Sequence, residues 1–251
     1  MEYAHLSSTV GVKTVEENGS EGVFEIEGLY AGYGLTLGNA LRRTLLSSLP
    51  GAAVTYIKVK NVSHEFSTLP GVKEDIIAII LNFKKLRFEM DANEPQVLLI
   101  EKKGDGEVTG ADIKANAQVK VVNPGQVLAT LTEKSAEFTV EVTVERGLGY
   151  SSVESRKAEK LAIGMIGVDA FFSPVTAVNY TVENMRVGDR TDYNRLRIDV
   201  STDGTVTPSS AMHKAANILK DHFEKVSALE VKEREVTADE PIKKTRKKKA
   251  E

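Results

Sequence analysis

The sequence predicts an α+β fold in which two long helices, one toward each end of the chain, flank an inserted mixed, mostly β segment. Three observations lead there. Residues 32–49, GYGLTLGNALRRTLLSSL, join a glycine-rich turn to a helix that is apolar over more than one side and stops at Pro50-Gly51. A second apolar run at helical spacing follows the start signal Thr207-Pro208, an N-cap with proline at the first helical position. Between them, the breaks Pro50-Gly51 and Ser173-Pro174 bracket a segment rich in strand-like runs, so the chain reads as an inserted-domain arrangement.

Val23 to Leu29 (VFEIEGL) and Val54 to Val59 (VTYIKV) alternate apolar and polar residues, the period of half-buried strands, and they flank the first helix. At about 100° per residue, Leu37, Ala40, Leu41, Thr44, Leu45, Ser48 and Leu49 form a small-to-apolar arc of roughly 180°, wider than the ~100° stripe of a surface helix. Arg43 points the opposite way. Leu46 extends the arc toward the charged side, and Arg42 lies between Leu46 and Leu49. One core cannot satisfy an aliphatic face, a mixed shoulder and a basic face, so this helix is expected to make intermolecular contacts.

Further along, Val97 to Ile100 and Val119 to Val122 are short apolar runs, and Glu137 to Arg146 (EFTVEVTVER) alternates over its whole length, as does much of Val178 to Val187. With turns at Asp105-Gly106 and Pro124-Gly125, the middle reads as mostly antiparallel sheet. Arg195 to Thr202 is another strand and Asp203-Gly204 a turn. In the second long helix, Met212, Ala215, Ala216, Leu219, Phe223, Val226 and Leu229 form a seam suited to helix packing, opposite Lys214, Lys220, Asp221 and Glu224. Beyond Leu229 the sequence VKEREVTADEPIKKTRKKKAE lacks the apolar residues for a core and is expected to be a disordered charged tail.

With 251 residues, 41% hydrophobic and 27% charged, the chain can bury a sizeable core as one large domain or two ordinary ones. The longest apolar run, Ile76 to Leu81, is far short of the ~20 residues of a membrane span, and the N-terminus MEYAHLSSTV lacks a charged region followed by an apolar one. No membrane or export role is therefore expected, and the absence of cysteine fits a cytoplasmic protein. A net charge of -3 excludes a general electrostatic sleeve for nucleic acid, so any DNA contact must be local.

The four histidines, His5, His64, His213 and His222, have no metal-ligand or triad spacing. No catalytic, metal or cofactor site is expected. The glycine-rich GYGLTLG could cradle a phosphate at the helix N-terminus with Arg42 or Arg43 assisting, which would make the chain a stand-alone phosphate-ligand-binding enzyme. Its GxGxxxG spacing fits neither dinucleotide nor P-loop patterns, and a tight turn is the simpler reading. By themselves Arg42 and Arg43 read as a solvated helix face.

Several strings then occur in one order: GLTLGNALRRTLLSSLPG, HEFSTLPGVKEDIIAIILNFKKL (His64 to Leu86), TGADI (Thr109 to Ile113), VERGLGY (Val144 to Tyr150), IGVDAFFSPV ending at Val175, and NYTVENMRVGDRTDYNRLRIDV (Asn179 to Val200). Together, over roughly residues 20 to 230, they resemble the bacterial-type RNA polymerase alpha subunit family, a far stronger signal than any single motif. The resemblance implies a dimerisation domain from both chain ends, 1–50 plus 175–230, with its two long helices on an antiparallel sheet. It further implies an inserted β-rich domain, 51–174, and leaves 231–251 as the charged tail.

It also implies a homodimeric scaffold, non-catalytic itself, that nucleates transcription-enzyme assembly by binding the beta and beta-prime subunits. The helix seams would supply the dimer interface through Leu37, Leu41, Leu45, Leu49, Leu219, Phe223 and Val226. By position in the family strings, Arg43, Leu46, His64, Glu65 and Phe66 are expected to meet beta, and Lys84 and Val168 beta-prime. Arg190 and Asp192 are expected to pair and fix the strand connection. The tail cations Lys243, Lys244, Arg246, Lys247, Lys248 and Lys249 are candidates for a weak phosphate-backbone contact, with DNA otherwise met only through the assembled enzyme. Family members commonly continue into a separate C-terminal DNA-binding domain; this chain stops first, so upstream promoter recognition by such a domain is expected to be absent.

Overall fold

A computed structural model of the chain describes residues 8–114, 116–156 and 164–230. It opens with strands β1 (Gly11–Asn18) and β2 (Glu21–Leu29), runs into helix α1 (Tyr33–Ser47) and returns as β3 (Pro50–Val59). Helix α2 (Ile76–Phe83) leads to β4 (Phe88–Met90), β5 (Gln96–Lys103), β6 (Gly106–Thr109), β7 (Ile113–Lys114), β8 (Val119–Val121) and β9 (Val127–Leu131). The long β10 (Glu137–Leu148) is followed by β11 (Tyr150–Ser151), β12 (Met165–Gly167) and β13 (Ala170–Phe171). A hairpin of β14 (Val175–Val187) and β15 (Arg190–Thr202) and helix α3 (Pro208–Ser227) follow.

The predicted α+β class and mostly antiparallel sheet are what the chain adopts. One sheet has the order β1-β2-β15-β14; a larger one runs β7-β5-β10-β3-β4-β8, with β12 added beside β3. Two small ribbons, β6-β9 and β11-β13, stand apart. The β14-β15 hairpin turns at Gly188, whose φ of 61° lies in the left-handed region. Arg190 grips Asp192 through two hydrogen bonds, at 3.0 and 2.6 Å, and its guanidinium lies over the rings of Tyr30 and Tyr193. The expected charge pair is present at this connection.

Two separate hydrophobic cores follow the two sheets. The first joins Phe24 and Leu29 of β2, Leu41, Leu45 and Leu49 of α1 and its end, and Leu196 and Ile198 of β15. Helix α1 reaches this sheet through glycine: a Cβ at Gly34 would lie 2.6 Å from Val182, and one at Gly38 2.7 Å from the Tyr180 ring. Any larger residue at either position would lift the helix from the strands. Helix α3 starts at Thr207, whose hydroxyl accepts the Ser210 N–H, and buries only its first half, through Ala211 and Ala215.

The second core lies between the larger sheet and α2. Asp75 caps α2 by accepting the Ala78 N–H at 2.7 Å, and Ile76, Ile79 and Phe83 join the same buried cluster as the β10 residues Phe138, Val140, Val142 and Val144. Strand β3 departs from expectation. VTYIKV alternates as a half-buried strand would, yet Ala53, Val54, Thr55, Tyr56 and Ile57 are all buried. The second face is covered by chain that is distant in sequence: Ala170 and Phe172 pack on Ala53, and Arg156 lies over the Tyr56 ring. Strand β1 carries no apolar pattern because nearly all of it is exposed; its register on β2 and the Lys13–Glu27 ion pair at 2.6 Å hold it.

An ion pair links segments of the two cores. Arg87, just after α2, approaches Asp203 at 3.4 Å, and Asp203 also accepts from the Thr205 N–H and hydroxyl. A second arm of Arg87 donates to the carbonyls of Lys84 and Leu86, so the guanidinium is held from both sides.

Candidate functional site

The surface offered by α1 and α3 is asymmetric in burial. Leu41, Leu45 and Leu49, expected at the dimer interface, lie inside the protomer's own first core; Leu45 is 0% exposed. A sheet beneath α1 claims that arc, which helical periodicity could not distinguish from a partner helix. These three pack in the protomer's own core, while Leu37 and Leu219 are half-buried at its margin. The far half of α3 and the residues just past it are different: Phe223, Val226 and Leu229 are 64%, 63% and 71% exposed. They recur at a spacing of three residues and leave most of their surface uncovered.

The glycine-rich turn is already occupied. Gly32, with φ 87° in the left-handed region, precedes α1, and the side-chain oxygen of buried Asn194 accepts both the Gly32 and Gly34 N–H groups, at 2.9 and 3.4 Å. These are the donors a phosphate would need. Arg42 donates from Nε to the Val178 carbonyl at 3.1 Å, which ties it to β14. The phosphate-binding alternative is therefore not supported. Arg43 stands exposed on the opposite side of α1, its guanidinium without a partner among the described residues, and Leu46 is half-buried beside the first core.

The His64 to Phe66 turn lies beyond β3. The His64 ring is 3.1 Å from the Ser67 hydroxyl, and the Phe66 ring is 75% exposed. Glu65 and Phe66 line a cleft with Ile77 and Ile80 of α2 and Met165 and Ile166 of β12. The stiff Leu69-Pro70 approach ends at Gly71, whose φ of 73° and contact with Ala136 leave no room for a side chain.

Lys84 and Val168 are brought to one place but not to one surface. Val168 is 1% exposed and packs in the second core. Its N–H donates to Thr55 at 2.8 Å and its carbonyl accepts from Arg156. Its neighbour Asp169 faces outward, accepting the Val153 N–H at 2.9 Å and lying 3.9 Å from the Lys84 ammonium. Lys84 also lies 5.8 Å above the centre of the Tyr150 ring. The Val153 N–H, with the Tyr150 hydroxyl and the Lys84 and Arg156 cations behind it, holds the Asp169 carboxyl below the usual aspartate range against the opposing effect of burial. The same hydrogen bond to Asp169 pushes the Tyr150 hydroxyl up.

Asp169, Tyr150 and Asn194 escaped sequence reasoning. Tyr150 and Asp169 end and interrupt two of the recognisable strings, VERGLGY and IGVDAFFSPV, but no spacing rule links them. Among the described residues no cluster of His, Cys, Asp and Glu could hold a metal ion, and no helix is long and apolar enough to cross a membrane. The tail cations from Lys243 to Lys249 lie outside the described residues.

What the geometry defines, then, is an α+β fold on two main cores that leaves an apolar stripe and several charged and aromatic side chains exposed. The sequence profile of the RNA polymerase Rpb3/RpoA insert domain matches residues 56–173, the span of the second core. The chain is 50% identical over 208 residues to the DNA-directed RNA polymerase subunit alpha of Symbiobacterium thermophilum, covering 83% of this chain and 66% of that one. It is 52% identical over 202 residues to that of Moorella thermoacetica, 80% and 64% of the two chains, and 48% identical over 214 residues to that of Alkaliphilus metalliredigens, 85% and 68%. The chain belongs to the DNA-directed RNA polymerase alpha subunit family. It spans about two thirds of the length of the curated relatives it matches.

Proposed function

We propose that this chain is the assembly scaffold of a DNA-dependent RNA polymerase, a non-catalytic subunit of a nucleotidyltransferase complex working in the cytoplasm. The first core and its helices, from 1–50 plus 175–230, form a dimerisation domain, and 51–174 an inserted domain. Two copies pair about a two-fold axis, α1 and the free half of α3 from each forming a four-helix arrangement. Phe223 and Val226 are the principal apolar contacts, with Leu37 and Leu219 at the margin. The observation that carries this reading is the uncovered half of α3, an apolar stripe on a helix otherwise anchored to its own sheet.

On the paired scaffold, Arg43 and the shoulder at Leu46, together with the His64-Glu65-Phe66 turn, take the beta subunit. The unpaired guanidinium suits a carboxylate at a partly desolvated interface, and the exposed Phe66 ring supplies an apolar anchor. Lys84 takes beta-prime. Two identical copies thus meet two different large subunits, and nucleotidyl transfer stays with those partners.

Co-purification of the tagged chain with its cognate beta and beta-prime subunits, with the mass of the free chain determined in the same run, tests the reading. A free dimer that captures beta and then beta-prime is expected, with Arg43→Ala leaving the dimer intact but losing beta to wild-type chain in competition. A monomer that captures neither subunit overturns the scaffold; normal beta capture by Arg43→Ala overturns the Arg43 assignment alone.

A further inference from the structure

We infer that Asp169 is a positioning residue, whose carboxylate holds the Lys84 ammonium over the Tyr150 ring so that this cation meets its partner already ordered. The inference rests on the reading of Lys84 as a partner contact and names what prepares it. A free lysine side chain gives up substantial rotamer freedom when it is fixed at an interface, and a side chain already steered gives up less.

Two separate segments converge on this one carboxylate. Lys84 comes from the end of α2 at 3.9 Å; from the segment of β11 and its exit the Val153 N–H donates at 2.9 Å, and the Tyr150 ring lies 5.8 Å from the Lys84 ammonium. The carboxylate is itself fixed from below. Val168 is buried in the second core, its N–H bonds to Thr55 of β3, and Arg156 ties the Val168 carbonyl and the Thr55 carbonyl together. Asp169 therefore stands on an anchored stretch of backbone between β12 and β13, while the side chain of Lys84 keeps 37% of its surface exposed. Val168 contributes to the site through this backbone and not by touching a partner.

The test is a double-mutant cycle on the full chain, reading capture of beta-prime by the preformed complex of the dimer with beta, in competition with wild-type chain. Asp169→Asn removes the charge yet leaves an oxygen for the Val153 N–H. It is expected to weaken capture roughly two- to five-fold, as suits a partly exposed charge pair. In a Lys84→Ala background the same change is expected to have no further effect. Tyr150→Phe, which removes only the hydroxyl, serves as the second variant and is expected to give a smaller loss that also vanishes in that background. If Lys84→Ala captures normally, the contact reading fails and the inference falls with it. If Lys84→Ala weakens capture but Asp169→Asn has no effect, improves it, or adds its full loss to the double variant, the contact reading stands and the positioning role is wrong.

Discussion

Phe223→Ala separates dimerisation from folding. Burying a phenylalanine side chain fully is worth roughly 1.5 to 3 kcal/mol. Phe223 is 64% exposed in the protomer, so about two thirds of that, roughly 1 to 2 kcal/mol, is still available to a partner. A two-fold interface uses the residue twice, which makes about 2 to 4 kcal/mol per dimer and a rise in dimer Kd of roughly 30- to 700-fold. The protomer itself should be little affected, because most of the Phe223 surface is uncovered within it and alanine favours the helix. Sedimentation equilibrium over a dilution series measures the Kd, and far-UV circular dichroism checks that helix content is unchanged. Leu45→Ala is the contrasting change: at 0% exposure it should take roughly 2 to 5 kcal/mol from the fold. A Phe223→Ala chain with wild-type Kd would refute the interface, and one with lost helix content would refute the claim that this half of α3 is independent of the core.

Gly38→Ala should lower stability by roughly 1 to 3 kcal/mol in urea titrations, because its Cβ would stand 2.7 Å from the Tyr180 ring; an unchanged midpoint would show that the helix can shift. Asn194→Ala should cost roughly 1 to 3 kcal/mol by stranding the Gly32 and Gly34 N–H groups, and inorganic phosphate should leave the wild-type Tm unmoved; a phosphate-dependent Tm would revive the glycine-rich turn as a ligand site. Acid should weaken the fold below about pH 4. The Asp192 carboxyl, lowered chiefly by its hydrogen bonds to Arg190, and Asp169, lowered chiefly by the Val153 N–H, contribute fully above the ordinary carboxylate range and lose that contribution as pH falls through their depressed folded values. Asp192→Asn should flatten this acid limb in urea midpoints measured against pH, and an unaltered slope would count against the pair.

Burial decided the errors of sequence reasoning in a consistent way. Period-two alternation located β10 well because one face of that strand meets the second core and the other meets solvent. The same signal misjudged β3, since Ala170, Phe172 and Arg156 return from a hundred or more residues away to cover the face that alternation assigned to water. Residues 76–81 read as an apolar run without a period, because α2 exposes Ile77 and Leu81 while burying Ile76 and Ile79. The charge pair at Arg190 and Asp192 was legible because the two residues are near neighbours in sequence; Lys84 and Asp169 were not, because only the fold brings them together.

The sequence by itself determined the class of fold, the two long helices and the family, because local periodicity, caps and glycine or proline breaks act over a few residues and are written in order along the chain. It also determined that α1 has more apolar surface than one face of a surface helix needs. Only the tertiary structure decided how that surface is divided. The leucines of α1 go to the protomer's own sheet, drawn in by the close approach at Gly34 and Gly38, and the apolar stripe left open is the far half of α3. A helical period reports that a face is apolar and is silent on what covers it, since a sheet of the same chain and a helix of a second copy satisfy the hydrophobic effect equally well.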